Sequence, residues 1–346
     1  MKRIAHTKKS FCSILLLFTV FGAYSQQPDS SNLDNLSLKD LLAVKITTAG
    51  KTSQSLELAS AVVTVITKEQ IRERGYQSLL DVMYDLQDVK VDDKMYSGIR
   101  NSFTIRGTQG SEKFVILLDG INISSPSGEA MPIMQNYPVN LAEQIEILYG
   151  PASALYGANA ASAIINIITK KTFRKDMMID VSSTAGDNGY TNNTLFISKK
   201  LAENISLIVS GQYYYDRNPD YSKLYKNDSL SSISSYRSGT FNTIYGPFTP
   251  SEPVTPRYEA PMKAYNLYAS LHASDFSFTF FRNYFKIPTA LGNNTSNAIF
   301  NKDVYMAQSI TMANTSYKKI LGKVTSTTSL TTSKYDLDPG SNYRNL

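Results

Sequence analysis

Histidine and cysteine, two residue types often used in catalysis and metal binding, are scarce in this chain. Its 346 residues include two histidines, His6 and His272, and a single cysteine, Cys12. This rules out a multi-histidine metal centre, a disulfide framework and a Cys-x-x-Cys motif. The sequence also has no nucleophile elbow, no phosphate-binding loop and no motif that pairs an imidazole with a carboxylate. We therefore expect no enzyme activity, no metal site and no cofactor.

Residues 1–25 are predicted to be a secretory signal peptide. Basic residues precede a 13-residue apolar run at 11–23, and the small residues at 23 and 25 match the pattern that signal peptidase reads. The run is too short for a membrane-spanning helix, which needs about 20 residues. Without this segment 31 Lys and Arg remain against 29 Asp and Glu, so the formal net charge falls from +6 to +2. The exported chain is nearly neutral and is not expected to bind nucleic acid.

Residues 36–172 mix helix and strand signals. Thr67 with Gln70, and Ser78 with Asp81, have the spacing of capping boxes and predict the starts of two helices. Short apolar strands are predicted after them, separated by Gly and Pro: SFTIRG, KFVILLDG, QIEILYG and AIINIITKK. The pattern indicates a compact α+β domain.

After residue 172 the helical spacing gives way to an alternation of apolar and polar side chains. Seven stretches of 10–14 residues show it, near 177–187, 189–199, 204–216, 263–273, 275–286, 304–317 and 322–333. Strands of this length, about twice the average of soluble sheets, are typical of outer-membrane barrels. The links at 217–262 and 287–303 are long, whereas most of the others are short. Because such barrels have long external loops and short periplasmic turns, the first strand is predicted to start on the periplasmic side.

Residues 144–171, QIEILYGPASALYGANAASAIINIITKK, resemble the closing motif of the plug domain of TonB-dependent outer-membrane receptors. Earlier pieces follow the order of that family: VVTVITKEQI, SLLDVMYDLQDVKV, FTIRG and VILLDGINI. The resemblance implies an α+β plug domain followed by antiparallel transmembrane β-barrel strands, about seven of the 22 that plugged transporters have. An intact receptor would have about 720 residues at about 25 residues per strand, so we expect this chain to be a fragment.

The same resemblance divides the chain into four parts. These are a signal peptide (1–25), a periplasmic N-terminal segment (26–51), the plug domain (52–172) and the N-terminal part of the outer-membrane β-barrel (173–346). The second part ends in a stretch that resembles the TonB box, a short extended segment exposed to the periplasm.

Through the TonB box, the periplasmic protein TonB transmits energy to receptors of this family. The candidate contact residues are Val44, Lys45, Ile46, Thr47, Thr48 and Ala49. Their β-branched side chains favour an extended backbone, which can add a strand to the sheet edge of the partner. The alternative interpretation is an ordinary first strand of the plug.

The resemblance also implies roles for residues inside the plug. In the family, plug arginines pair with barrel glutamates; Arg106 matches one of these arginines, whereas Tyr149 occupies the position of the second. Arg106 and Glu146 are expected in strands enclosed by the barrel, where a charge is retained only if it is paired. A further set of motif residues is expected to serve turns and close packing: Gly107, Asp119, Gly120, Gly150, Pro151, Tyr156, Gly157 and Asn166.

Ligand contacts in this family come from apical plug loops, from the barrel lumen and from external loops. In this chain the apical loops are predicted at 92–101 and 122–137, and their candidates are Tyr96, Arg100, Met131, Met134 and Tyr137. Apolar side chains are unusual in exposed loops unless something packs on them. The alternative is that these side chains pack against the barrel wall.

The sequence and the resemblance together predict a receptor of the cell outer membrane, in contact with membrane lipid. We expect it to bind a scarce small molecule or metal chelate, such as an iron-siderophore or cobalamin, and to import it with energy from TonB. Two alternatives stay open. One is an importer of glycans or peptides that pairs with a surface lipoprotein, and the other is a non-transporting adhesin or signalling receptor on the same scaffold.

Overall fold

The structure, a computed structural model, describes residues 45–48, 54–55, 62–92, 101–129, 131–157, 159–170, 177–224, 239–243, 245–249, 260–289, 302–322 and 324–342. The predicted signal peptide lies outside these residues, as do Val44, Ala49, Tyr96 and Arg100. Within the described ranges, no helix is long and apolar enough to cross a membrane.

Two short helices begin at the predicted capping boxes. The first, α1 (Lys68–Glu73), follows Thr67, whose hydroxyl accepts a hydrogen bond from the backbone N–H of Gln70, while the Gln70 side chain accepts one from the N–H of Thr67. The second, α2 (Leu79–Tyr84), starts with the same arrangement at Ser78. These caps satisfy N–H groups that have no partner inside the helix, which explains why both starts could be predicted from local sequence.

The described residues of the α+β domain form ten strands and one further short helix. These are β1 (Lys45–Ile46), β2 (Gln54–Ser55), β3 (Val62–Thr67), β4 (Val89–Asp92), β5 (Ser102–Ile105), β6 (Thr108–Gln109), β7 (Phe114–Leu118), β8 (Ile121–Asn122), β9 (Ala142–Tyr149), α3 (Ser153–Tyr156) and β10 (Ala163–Thr169). They form a β1-β2 pair, a β4-β5-β6 sheet and a five-stranded sheet in the order β3-β9-β10-β7-β8. In the five-stranded sheet β10 and β7 are parallel and the other pairs are antiparallel. The almost entirely buried strands β7, β9 and β10 form its centre.

Two-residue turns join β5 to β6 and β7 to β8. The turn residues are Arg106-Gly107 and Asp119-Gly120, and all four have positive φ (47°, 80°, 50° and 82°). Positive φ at both positions is the mark of a type I′ hairpin turn, which favours glycine in the second position. Gly107 and Gly120 thus both lie in turns. Arg106, however, lies in a turn, because the turn type and not the preceding strand sets its backbone conformation.

Seven long strands form the second sheet. In chain order the elements are β11 (Met178–Ala185), β12 (Thr191–Ala202), β13 (Ile205–Asp216), α4 (Tyr221–Leu224), β14 (Phe241–Thr243), β15 (Gly246–Phe248), β16 (Met262–Ala273), β17 (Phe276–Pro288), β18 (Tyr305–Leu321) and β19 (Val324–Leu337). The pair β14-β15 and helix α4 lie in the long link after β13, and the other seven strands pair antiparallel, each with the next. Their number, order and approximate limits confirm the alternation seen in the sequence.

The two faces of the seven-stranded sheet have different environments. On one face, side chains are buried in the same core as the α+β domain: Phe196, Ile208, Tyr268, Phe281 and Met312. On the other face, large apolar side chains are more than a third exposed, among them Leu195, Val209, Leu267 and Phe278. A sheet face of this kind is suited to contact with lipid.

Candidate functional site

The segment ahead of the five-stranded sheet is held in place by that sheet. Its strand β1 pairs antiparallel with β2. Ile46 and Thr48 are fully buried, although both belong to the stretch that the sequence predicts to be exposed to the periplasm. The described part of the segment is therefore docked on the α+β domain.

The carboxylate of Glu146, in β9, is the centre of this contact. Glu146 is fully buried and accepts hydrogen bonds from the backbone N–H of Thr47 (3.0 Å), from the N–H of Thr48 (2.8 Å) and from the Thr48 hydroxyl (2.5 Å). The Gln144 side chain donates a fourth bond at 2.8 Å. All four bonds come from neutral donors. A buried carboxylate needs such donors when no cation balances it.

Every polar group of Thr48 takes part in this contact. Besides the two bonds that Thr48 donates to Glu146, its hydroxyl accepts a bond from Nδ2 of Asn166 (2.9 Å) and its carbonyl accepts one from the hydroxyl of Tyr156 (2.9 Å). Burial, and secondly the charge of Glu146, raises the pKa of Tyr156, so that its phenol keeps the proton it donates. We call Thr48, Glu146, Tyr156 and Asn166 the threonine clamp.

The threonine clamp makes the position of the N-terminal segment and the state of the sheet depend on each other. If Thr47 and Thr48 were withdrawn, Glu146 would lose three of its four bonds and keep only that from Gln144. A buried polar group left without a partner costs about 1–3 kcal/mol, and more when it is charged. We therefore expect the sheet around Glu146 to rearrange when the segment leaves.

This docking bears on the two interpretations of residues 44–49. In the structure residues 45–48 are part of the domain, as the alternative of a first plug strand implies. The N–H groups of Thr47 and Thr48 are occupied by Glu146, so they cannot pair with a partner's sheet unless the clamp opens. Their role in coupling to TonB stays a prediction.

Arg106 has a different environment from the one predicted. It pairs with Asp88 of the same domain, with 2.9 Å between Nη2 and Oδ2, and the two side chains are 40% and 44% exposed. Its guanidinium lies 4.6 Å from the ring centroid of Tyr149, and burial raises the pKa of that tyrosine. The structure places Arg106 in the turn after β5 and not in a strand, because the type I′ turn begins at this residue. Glu146 is buried inside the domain, and docking of either residue on the barrel stays a prediction.

An ion pair between the domain and the seven-stranded sheet is made by Lys170, which was not a candidate in the sequence. Its ammonium lies 3.7 Å from a carboxylate oxygen of Asp180 in β11 and 5.1 Å from the ring centroid of Phe196 in β12. The Lys170 side chain is only 9% exposed. Burial, and secondly the nearby charge of Lys68, lowers the pKa of Lys170. The feature of the sequence that could have indicated this contact is the position of Lys170 at the end of the buried strand β10.

Amide side chains form further contacts between the domain and the sheet. Gln77, just before α2, accepts a bond from Asn192 (3.2 Å), and its backbone carbonyl accepts one from Gln212 (3.3 Å). Asn266 donates to the carbonyl of Gln135 (3.0 Å). These contacts could not be predicted, because a single sequence gives no register between the strands of the sheet and the domain.

The apical candidates are buried where the structure describes them. Met131 and Tyr137 are 5% and 2% exposed, and Met134 is half-buried. Met131 packs with Tyr214 and Phe285 of the seven-stranded sheet, and burial raises the pKa of Tyr137. The seven-stranded sheet covers Met131 and the domain core covers Tyr137, and contact of either side chain with a ligand stays a prediction. The alternative, packing against the wall, describes Met131.

Residues of the predicted motif set hold neighbouring strands together. Asp119 accepts bonds from the N–H and hydroxyl of Thr169 (3.0 and 2.7 Å), and Gly120 donates its N–H to the side chain of Asn166 (3.0 Å). Gly150 and Gly157 both have positive φ, and Pro151 is exposed between β9 and α3.

A cavity of about 470 Å³ lies beside the contact between the domain and the sheet. Its lining includes Arg74, Tyr76, Gln77 and Tyr190. Arg74 and Tyr76 are both hydrogen-bonded to Asp85, and these bonds, that from Tyr76 first, lower the pKa of Asp85. Gln77 is bonded to Tyr190 (2.7 Å). These polar groups are thus engaged within the protein, and the described residues contain no cluster of three His, Cys, Asp or Glu side chains placed to hold a metal ion.

Comparison with known proteins gives a consistent result for both parts of the chain. Residues 55–164 match the family model of the TonB-dependent receptor plug domain. The solved structure of the siderophore receptor PiuA from Acinetobacter baumannii is similar with a TM-score of 0.56 and 18% identity, over 87% of this chain and 40% of that one. The ferric-catecholate import receptor Fiu from E. coli K12 gives a TM-score of 0.54 and 16% identity, over 86% and 42%.

A third similar structure is the siderophore receptor PirA from Acinetobacter baumannii, with a TM-score of 0.55, 19% identity and coverage of 81% of this chain and 40% of that one. This chain spans about two-fifths of the length of these receptors. At such low identity the likeness establishes the fold, and the matched proteins are receptors rather than enzymes. Residues 55–164 therefore belong to the plug-domain family of the TonB-dependent receptors, and the strands that follow have the fold of part of such a receptor's barrel.

Proposed function

We propose that the full-length protein is an energy-coupled importer of the cell outer membrane. It binds a ferric siderophore, or a similarly scarce ligand such as cobalamin, at the cell surface and delivers it to the periplasm with energy from TonB. The plug match and the likeness to receptors named for siderophores support this ligand class. The secretory pattern of residues 1–25 and the apolar outer face of the seven-stranded sheet support the location.

The observation that carries the proposal is the threonine clamp. Thr47 and Thr48 belong to the segment that resembles the TonB box, and their hydrogen bonds end on a buried carboxylate inside the plug. Glu146 lies in β9, which is placed between β3 and β10 in the five-stranded sheet. A partner that pairs with the segment must first remove these donors from Glu146. The loss of those bonds then acts on the centre of the sheet, and this links segment capture to rearrangement of the plug.

The experiment separates binding from uptake. Thr47→Pro removes an N–H that donates to Glu146 and that could also donate to a partner strand. Thr47→Val keeps this N–H and the extended preference, so it is the matched control. Each variant is made in the full-length receptor and tested with ⁵⁵Fe-loaded catecholate and hydroxamate siderophores, in cells with and without TonB.

We expect Thr47→Pro to bind the siderophore at the cell surface and to lose uptake. Thr47→Val should behave as the parent does. Deletion of TonB should abolish uptake by the parent and by Thr47→Val. Equal loss of binding and uptake in Thr47→Pro would mean that the segment serves only the fold. Uptake by the parent without TonB would refute energy coupling.

A further inference from the structure

The cavity beside the contact between the domain and the seven-stranded sheet combines residues from three parts of the chain. The residues at 74–77, Asp81 and Tyr84 belong to α2 and to the link that leads into it. Gln135 comes from the link between β8 and β9, and Tyr190 stands directly before β12. The volume of about 470 Å³ is within the range of about 300–1,000 Å³ that is usual for small-molecule sites. The cavity can thus hold a small organic molecule.

One polar group in the lining of this cavity lacks a hydrogen-bond partner. Gln135 is 7% exposed, and among the described residues nothing donates to its side-chain oxygen Oε1. The backbone carbonyl of Gln135 accepts a bond from Asn266 of β16 (3.0 Å), so the sheet fixes the position of this residue. A buried acceptor without a partner is unfavourable, and a ligand that donates a hydrogen bond removes that cost. Gln135 therefore favours a ligand with N–H or O–H groups.

Three tyrosines contribute to the lining of the same cavity. Tyr76 and Tyr84 belong to the domain, and Tyr190 belongs to the side of the seven-stranded sheet. The Tyr190 hydroxyl donates to Oε1 of Gln77 at 2.7 Å, and the backbone carbonyl of Gln77 accepts a bond from Gln212 of β13 at 3.3 Å. These bonds hold the lining in place without a ligand. Because the faces of aromatic rings attract cations, such a lining suits a positively charged group.

The charges around the cavity also favour a cation. Among the lining residues Arg74 alone is positively charged, and its guanidinium is paired with Asp85. Asp81 lines the cavity too, and both Asp81 and Asp216 lie close enough to Tyr190 for their negative charges to act on its hydroxyl. The Asp81 carboxylate accepts bonds from two backbone N–H groups just before α2, which leave its charge in place. Since Asp85 balances Arg74, the charge that remains at the cavity is negative.

We infer that this cavity is a binding site for an organic ammonium ion. The ammonium group donates a charge-assisted hydrogen bond to Oε1 of Gln135 and lies against the tyrosine rings, and the carboxylates of Asp81 and Asp216 favour its charge. A neutral polyol satisfies Gln135 but gains little from the carboxylates, and an anion is repelled by them. The inference goes beyond the proposed function, because it concerns a second small ligand and does not depend on energy coupling.

The test uses the full-length receptor purified in a neutral detergent, with putrescine, a short water-soluble diamine, as the probe. Butanediol and succinate are the comparison probes, because they have the same chain length with no charge and with negative charge. Isothermal titration calorimetry measures the affinity of the parent and of Gln135→Leu, which keeps the approximate size of the side chain and removes the acceptor. The matched control is Gln308→Leu. Gln308 is 5% exposed and also has a side-chain oxygen without a partner among the described residues, but it lies on β18 and does not line the cavity.

We expect the parent and Gln308→Leu to bind putrescine equally well, and Gln135→Leu to bind it at least about tenfold more weakly, since a hydrogen bond from a charged donor is lost. A second variant, Tyr84→Leu, changes a ring that is 52% exposed and so leaves the fold intact; it should weaken binding about two- to fivefold. Butanediol and succinate should bind more weakly than putrescine. The inference is overturned if the parent shows no saturable binding of putrescine, if either comparison probe binds as tightly, or if Gln135→Leu or Tyr84→Leu binds putrescine as the parent does.

Discussion

The substitution Glu146→Gln tests the threonine clamp most directly. It keeps the size of the side chain, removes the charge and replaces one accepting oxygen by a donating NH₂ group. Hydrogen bonds to a charged acceptor contribute about 1.5–3 kcal/mol each, against about 0.5–1.5 for neutral pairs. Three bonds from Thr47 and Thr48 end on this carboxylate, so the loss is about 1 kcal/mol at each and about 3 kcal/mol for the docked segment.

This loss predicts a measurable change in local opening. Because about 1.4 kcal/mol corresponds to a factor of ten, release of residues 45–48 should become about a hundredfold more frequent. The measurement is native-state hydrogen exchange of the Thr47 and Thr48 amides in the full-length receptor, followed by mass spectrometry of the peptide that contains them. The matched control is Glu143→Gln, since Glu143 lies on the same strand but is exposed.

A milder variant gives a second point on the same scale. Thr48→Val keeps the shape of the side chain and both backbone N–H bonds but loses the hydroxyl that joins Glu146 to Asn166. We expect about a tenfold increase in exchange, between the control and Glu146→Gln. If exchange at Thr47 and Thr48 is the same in Glu146→Gln and Glu143→Gln, the carboxylate does not hold the segment and the clamp argument is refuted.

Three further substitutions test other contacts of the plug. Arg106→Ala should lower the free energy of unfolding by less than about 1 kcal/mol, because its pair with Asp88 is exposed; a larger loss in chemical denaturation would reveal a buried partner elsewhere in the receptor. Lys170→Met should leave stability unchanged or raise it at pH 7, since burial lowers the pKa of Lys170 and so makes its charged form less favourable in the folded chain than in the unfolded chain. The parent should then gain stability as the pH rises from that lowered pKa toward 10.5, the ordinary pKa of lysine. The difference in melting temperature between the parent and Lys170→Met should therefore shrink. A difference that stays constant with pH would contradict this. Met131→Ala should cost about 2–5 kcal/mol by opening a cavity against the barrel wall, and unchanged thermal stability would mean that the wall does not pack there.

The features predictable from sequence are those set by local chemistry. The two capping boxes fixed the helix starts because each uses residues only three positions apart. The long strands followed from period-two alternation, which lasts longer in this chain than in a soluble sheet. Arg106 was misplaced because a type I′ turn reads like the end of a strand, and its positive φ cannot be seen from side-chain pattern.

Burial in apical loops was predicted less well, for a different reason. For Met131 the sequence left two alternatives open, contact with a ligand at the surface and packing against the barrel wall. Its partners Tyr214 and Phe285 lie more than 80 residues later in the chain, so their packing depends on how the plug fits the wall. The contact of Lys170 with Asp180 depends on the same fit.

The threonine clamp shows how a long-range site can arise from one register that was not predicted. The family resemblance implied separate roles for Glu146, as a docking charge, and for Tyr156 and Asn166, as packing residues. Antiparallel pairing of β9 with β10 places Glu146 opposite Asn166, so an acceptor and a donor stand side by side at the centre of the sheet. Thr48, 98 positions before Glu146, fits between them because its hydroxyl accepts from the amide and donates to the carboxylate. The role of these motif residues is therefore a property of the strand pair, and it follows once the register between the two strands is known.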